Sequence, residues 1–525
     1  MRKEIDRIHG GHLTYVHSTM PSGPDDYIPR STPLWRALMP DPLSDSFHRL
    51  AADEPSRVLV YASSERRVLT ASMLRDEAAL VAAILARAGL RRGDAIVTQA
   101  ANRSTFISLV IACVELGVAF MPADRNMPIA EVVALADRFG TAGLVLPDGI
   151  NLPANPTVTA LPGGLALYTS RAGDERRAYD DVAMMKLTSG STGLPKATAT
   201  SVENIWHDVQ AIVESMGIRR DDVQLAVLPL SHAYGFGNLV GPLVCQGTAV
   251  VLRDTFVPTQ LDDDIATHRI RVMPGVPFMF EHMLETLPGG GLPPSLEIAI
   301  TAGAPIAFAT VKRFHERFGI KIHSFYGTSE SGGIAYDGSP EVREPITVGR
   351  PMPGVTIQLK PEDTAPDGGG RVHISGRAVA HGYAGESHSS AEGFVDGGFL
   401  TGDLGFFDER GHLNLVGRVS SFVNVAGHKV QPAEVEQTLR QFPGIRDVRV
   451  VGAADARRGE MLVACVVADS ASVRIASLRE FCAARLSPHK IPREFVFLEN
   501  LPVDLRGKAD RRAIETLVAR YLTAR

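Results

Sequence analysis

From residue 43 onward, apolar positions fall at helical spacing, then in short unbroken runs, and the two textures keep alternating. Residues 76–90 (DEAALVAAILARAGL) repeat apolar side chains every three or four positions and stop at Gly89, which predicts a helix. Residues 95–99 then read as a strand, 106–116 as a helix, and 121–124 as a turn before a further helix through 137. The same rhythm returns at 182–185 (strand), 204–216 (helix) and 223–228 (strand), then in the strand–helix unit spanning 272–302. A short strand, 321–324, runs into Phe325–Glu330. Strands that alternate with helices predict an α/β fold with largely parallel sheets. Between 348 and 416 the runs shorten and alternate around Gly368–Gly370, which predicts antiparallel β structure, a small barrel or curled sheet. A helix from 432, strands near 448–451 and 462–467, and a helix from 478 return the chain to mixed α/β.

At 525 residues the chain exceeds one ordinary core and should divide. The expected division is a large N-terminal domain of stacked α/β sheets plus the barrel-like β part, 1–417, and a small mobile C-terminal α/β domain, 418–525. Residues 1–42, polar and dotted with Pro, Gly and His, read as an irregular arm. A net charge of −5 over this length gives no reason to expect nucleic acid as a partner. Cys113, Cys245, Cys465 and Cys482 are scattered without CxxC spacing and read as free thiols of a reducing compartment. The most apolar stretch, 106–120, carries Glu115 and is too short for a transmembrane segment. No signal peptide is apparent, so a cytoplasmic protein is expected.

Four stretches carry candidate chemistry. Thr188, Ser189, Gly190, Ser191, Thr192 and Gly193, followed by Leu194, Pro195 and Lys196, put hydroxyls, glycines and a cation on one short loop. Glycines let the backbone approach a ligand, and successive N–H groups with Lys196 would cradle an anion. The ATPase phosphate loop is not this motif: where it needs a second Gly, after four residues intervening from Gly190, stands Pro195, and Lys196 is followed by Ala197. The second stretch is Tyr326, Gly327, Thr328, Ser329 and Glu330, with an aromatic face, a hydroxyl and a carboxylate. The third, Thr401-Gly402-Asp403 with Arg418 downstream, could accept a ribose diol. The fourth, Arg506-Gly507-Lys508, puts a cation on a loop near the C-terminus. Each alone reads more readily as a solvated turn.

In this order the four stretches resemble the acyl-adenylate-forming (AMP-binding) superfamily, most like standalone acyl-CoA synthetases, and the likeness runs from about residue 43 to 513. The resemblance implies ATP-dependent activation of a small-molecule carboxylic acid to an acyl-adenylate with release of pyrophosphate. Transfer to a thiol follows, with CoA the expected acceptor and the phosphopantetheine of a separate acyl carrier protein the alternative. By the same resemblance Thr188 to Lys196 hold the β and γ phosphates, Thr328 contacts the α-phosphate and Glu330 ligates Mg²⁺. Tyr326 and Gly327 meet adenine, Asp403 and Arg418 bind ribose, and Lys508 bridges the reacting carboxylate and α-phosphate. The segment at Gly427 forms the thiol approach once the C-terminal domain has turned.

The acyl group is expected among His232, Ala233, Tyr234 and Phe236, the turn Ala302-Gly303-Ala304 and the pair Gly332 and Gly333. Here Gly332 and Gly333 would leave room, Tyr234 and Phe236 would form aromatic walls, and His232 would gate the pocket. These segments offer no carboxylate besides Glu330, so an uncharged acyl or aryl acid is expected in place of an amino acid. The chain departs from the family pattern at Ser420, where Asp or Lys is common at the hinge, and at Asn424, where Lys is common. A degenerate nucleotide-binding relative and an ADP-releasing kinase or ATPase are the readings of another class.

Overall fold

The computed structural model describes residues 42–152, 156–169, 178–188, 196–287, 291–362, 365–366, 368–385, 393–419, 423–425, 428–430, 432–455, 459–468, 473–503 and 509–523. Residues 1–41 of the arm, the loop residues Ser189, Gly190, Ser191, Thr192 and Gly193, the hinge residue Ser420, Gly427 and Lys508 lie outside them.

The fold is mixed α/β, with a large N-terminal part and a small C-terminal part. Two sheets with parallel centres form the body of the larger part. In the nine-stranded sheet, Val58–Ala62, Ala249–Leu252, Val223–Ala226, Val272–Gly275, Ile298–Thr301 and Ile322–Thr328 run parallel, and antiparallel strands finish both edges. In the seven-stranded sheet the parallel core is Gly143–Pro147, Ala95–Thr98, Ala119–Pro122 and Met184–Thr188. Helices such as Ser104–Leu116 are buried over nearly their whole length, which explains why the most apolar stretch of the chain needs no membrane. No helix among the described residues is long and apolar enough to cross one. The four cysteines are buried free thiols.

The expected elements are present, several with shifted ends, and three differ for identifiable local reasons. The first long helix is Ala71–Arg87, not 76–90, because Thr70 caps it: its side chain accepts from the Met73 N–H. Met121 and Pro122 belong to the strand Ala119–Pro122, not to a turn. Pro122 ends that strand, and the Ala123 N–H supplies the next ladder bond, to the Thr98 carbonyl. The strand expected at 321–324 runs on as Ile322–Thr328 and pairs antiparallel with Gly332–Tyr336, so Glu330 stands at the tip of a β-hairpin.

Residues 355–418 form a five-stranded antiparallel sheet, Val355–Lys360, Gly370–Gly376, Phe394–Val395, Gly398–Phe407 and Leu413–Arg418. The C-terminal part carries a further sheet around the long pair Ile445–Asp455 and Gly459–Ala468, covered by helices Pro432–Arg440, Ile475–Ala483 and Arg511–Thr523. Its core of Val430, Val435, Leu439, Val448 and Phe495 is separate from those of the larger part.

Candidate active site

The strand Met184–Thr188 returns as Lys196–Thr200, with Thr188 and Lys196 in register. The expected phosphate loop therefore joins two adjacent, paired strand ends. Lys196 Nζ stands 4.8 Å over the ring of Tyr383, and the Tyr383 hydroxyl donates to Glu330 Oε1 at 3.1 Å. A cation from the first motif and the carboxylate of the second are thus brought to one aromatic side chain, at its ring face and its hydroxyl.

The strand leading into the same hairpin tip carries the second half of the site. Tyr326 lies in Ile322–Thr328, and its hydroxyl donates to Asp403 Oδ2 at 2.6 Å. Asp403 pairs in register with Arg418, whose Nε is 3.0 Å from Oδ1. Burial raises the Tyr326 phenol well above its ordinary range, as does the neighbouring carboxylate, so the hydroxyl stays protonated and remains a donor. Its ring is packed among Ile334, Val372 and Leu413 and is 8% exposed. It supports Asp403 from beneath and presents little open face.

Thr328 Oγ1 is engaged within the turn, accepting from the Ser331 N–H and lying 2.9 Å from Ser331 Oγ. Ser329, half-buried beside Glu330, makes no side-chain hydrogen bond among the described residues and is the hydroxyl left available there. Mg²⁺ binds hard oxygen ligands, commonly one or two carboxylates together with water and substrate phosphates. No group of three or more His, Cys, Asp or Glu is gathered for a metal among the described residues. The single carboxylate of Glu330, with one oxygen held by Tyr383, fits a cation arriving on a nucleotide and not a protein-built cage.

Around the expected acyl pocket the structure agrees in part. His232 Nε2 meets Asp124 Oδ2 at 2.8 Å, so the histidine is held by a partner that its own motif does not contain. The Tyr234 hydroxyl donates to the Ile300 carbonyl, next to Ala302 and Gly303, and its ring packs on Phe325. Gly303 takes a φ of +84°, which the turn into Ala304 requires.

Two expectations are corrected. Phe236 is not a pocket wall: it is 3% exposed and packs on Phe120. Two residues apart in a helical turn are about 200° apart around the axis, so Tyr234 and Phe236 cannot share a face. Nor do Gly332 and Gly333 leave room. A Cβ on Gly332 would stand 2.5 Å from the Asp208 carboxylate, and one on Gly333 2.9 Å from Met352 Sδ.

Asp208, from the helix Val202–Met216, was not legible in any motif. Its Oδ1 accepts from the Gly333 N–H at 2.7 Å. Burial pushes its carboxyl up, while the same cause pushes buried Lys186 down; each is the other's leading favourable charge, and Glu330 also favours charged Lys186. A carboxylate therefore does reach Gly333 in the expected pocket, with Lys186 the cation that most favours its charged form. Helical spacing from a capping box at Ser201 and Asn204 could have put Asp208 on the inner face, but nothing local names its partner.

A sequence profile described as "AMP-binding enzyme" matches residues 47–384, and one described as "AMP-binding enzyme C-terminal domain" matches residues 434–508. The chain belongs to the AMP-binding enzyme family, as its four motifs suggested. Its class is that of AMP-forming ligases. It is 29% identical over 496 residues to a feruloyl-CoA synthase of Amycolatopsis sp, covering 91% of this chain and 96% of the relative. It is 28% identical over 479 residues to a 2-succinylbenzoate–CoA ligase of Geobacillus kaustophilus, covering 88% and 96%. Among solved structures it resembles the amide bond synthetase McbA of Marinactinospora thermotolerans, with a TM-score of 0.78 and 26% identity over 91% of this chain and 99% of that one.

Proposed function

We propose that this chain activates an uncharged acyl or aryl carboxylic acid with ATP and passes the acyl group to the thiol of CoA. The observation that carries this reading is the hairpin 322–336. It holds Tyr326 against Asp403 and Arg418, and Glu330 against Tyr383 and Lys196, so that ribose-type and phosphate-type anchors lie on one strand and turn. Asp403 keeps lone pairs for the ribose diol while Tyr326 and Arg418 fix its orientation. Lys196, with the hydroxyls of the loop before it, takes the β and γ phosphates. We assign Thr328 to the α-phosphate, where Mg²⁺ held by Glu330 would neutralise charge when bound.

In the first step a carboxylate oxygen attacks the α-phosphorus. The bond to the bridging oxygen breaks, and pyrophosphate leaves with that electron pair. Two anions must be forced together here, and we assign Lys508 to bridge them. In the second step the thiol sulfur attacks the acyl carbon, the bond to the AMP oxygen breaks, and the thiol proton passes to solvent. We place the hinge after Gly417, with residues 418–525 withdrawing Lys508 and bringing Gly427 to the thiol path. Asp208 is already engaged by the Gly333 N–H and favoured in its charged form by Lys186, which supports an acid without an ammonium group. A separate carrier protein is the alternative acceptor, favoured by Ser420 and Asn424 at positions of the hinge and thiol segment.

Acid-dependent exchange of labelled pyrophosphate into ATP, across fatty, aryl and amino acids, tests the reading. Exchange with an uncharged acid, followed by thioester formation with CoA, is expected. Release of ADP or orthophosphate, or preference for an amino acid, would overturn it.

A further inference from the structure

We propose that Tyr383 is a positioning residue for adenylation, a rigid spacer that holds Glu330 with its hydroxyl and Lys196 with its ring face. The proposal rests on the roles just given to those two residues.

Tyr383 is held from several sides. Its backbone continues the sheet beside Lys196–Thr200: it forms a bridge with Thr198, the His381 and Ala384 N–H groups donate to the Ala199 and Ala197 carbonyls, and the Ala199 N–H donates to the Gly382 carbonyl. The Ala380 N–H donates to the Glu330 carbonyl at 2.7 Å, tying the same segment to the hairpin tip. The ring, 9% exposed, is braced edge-on by Phe394 at 5.3 Å. One side chain thus links three pieces of chain that are remote in sequence: the strand after the phosphate loop, the Glu330 turn and the 380–384 segment.

The two contacts do different work. The hydroxyl occupies Oε1 of Glu330 and so fixes which oxygen faces outward for a cation; at 3.1 Å this bond is longer than the usual O–H···O distance of about 2.7–2.8 Å, so it guides more than it grips. The ring face attracts the Lys196 ammonium through its quadrupole without supplying an anion that phosphate would have to displace. A carboxylate in the place of the ring would pair with Lys196 and compete with pyrophosphate. A tyrosine holds the ammonium over its ring face and the carboxylate at its hydroxyl, and supplies no charge of its own to either.

Tyr383→Phe removes the hydroxyl bond and keeps the ring; Tyr383→Leu removes both. Calorimetric titration of Mg²⁺ into enzyme saturated with α,β-methylene-ATP needs neither acid nor turnover. Tyr383→Phe should weaken the Mg²⁺ Kd by about 5–10-fold and leave the metal-free nucleotide Kd within about twofold, the scale of one ordinary hydrogen bond, since this one is long. Tyr383→Leu should also weaken metal-free nucleotide binding, by roughly threefold or more. Pyrophosphate exchange should fall with the Mg²⁺ affinity of Tyr383→Phe, while thioester formation from preformed acyl-adenylate stays unchanged. Metal titrations of Tyr383→Phe that overlay the wild type would overturn the proposal. So would equal losses in both half-reactions accompanied by a lower melting temperature, which a purely structural tyrosine would give. Failure of the wild type to exchange pyrophosphate with any acid would overturn the reading of the reaction instead, and the calorimetry would still decide the role of Tyr383.

Discussion

The Tyr326 hydroxyl donates to Asp403 Oδ2 at 2.6 Å, joining the nine-stranded sheet to the antiparallel sheet at the point where we propose the ribose sits. Asp403→Asn keeps the shape but weakens acceptance of two hydroxyls. We expect the KM for ATP to rise about tenfold, a change of about 1.4 kcal/mol, with the KM for the acid little changed. Tyr326→Phe removes a donor to a half-buried carboxylate and should cost about 1.5–3 kcal/mol of stability, read by denaturant unfolding. An unchanged ATP KM in Asp403→Asn would dissociate this cluster from the nucleotide.

Lys196 and Lys508 are both assigned to the first step, one at the departing phosphates and one at the reacting pair. Lys508→Ala should abolish adenylate formation yet spare thioester formation from preformed acyl-adenylate. Lys196→Ala should slow pyrophosphate exchange by roughly 10–100-fold, the scale of a lost charge-assisted contact, and likewise spare the second step. Rapid-quench measurement of each half-reaction separates these outcomes from a general loss of activity.

Gly332 has a φ of +68°, and a Cβ there would meet the Asp208 carboxylate at 2.5 Å. Gly332→Ala therefore combines backbone strain with a clash and should destabilise by about 1–3 kcal/mol. Adding Asp208→Ala should relieve the clash but not the strain, so stability should recover only in part. Melting temperatures of the single and double variants measure both contributions, provided Asp208→Ala alone is measured to correct for the uncovered charge of Lys186.

Burial holds the His323 imidazole below its ordinary pKa of 6.5 in the fold, and His207 and His268 are displaced the same way for the same reason. The unfolded chain then binds protons that the folded chain excludes. Stability should be complete above about pH 6.5 and decline as the pH falls below it, toward the lower folded values. His323→Gln, which can still donate to the Asp337 carbonyl that His323 Nδ1 now meets at 2.8 Å, should flatten that decline. Melting temperature followed between about pH 7.5 and 5 checks the slope.

Much of this protein can be read from the chain because its chemistry comes in contiguous pieces. A glycine- and hydroxyl-rich loop, a Tyr-to-Glu turn and an Asp facing an Arg across two strands depend on spacing over a few residues. Local backbone preference sets that spacing, so TSGSTGLPK, YGTSE and TGD were legible, as was the α/β alternation that carries them. The partners that give those pieces their geometry were not legible. Asp124 beneath His232, Asp208 against Gly333, Lys186 beside Asp208 and Tyr383 between Lys196 and Glu330 all arrive from distant elements. Sequence by itself determined which functional groups the chain owns. Only the tertiary structure decided which way each side chain points and what balances its charge. Phe236 turned into the core and Asp208 filling the space over Gly332 are the clearest cases. The reason is physical: a side chain's direction is set by its place on a helix or strand, but the group it meets is set by how whole elements pack.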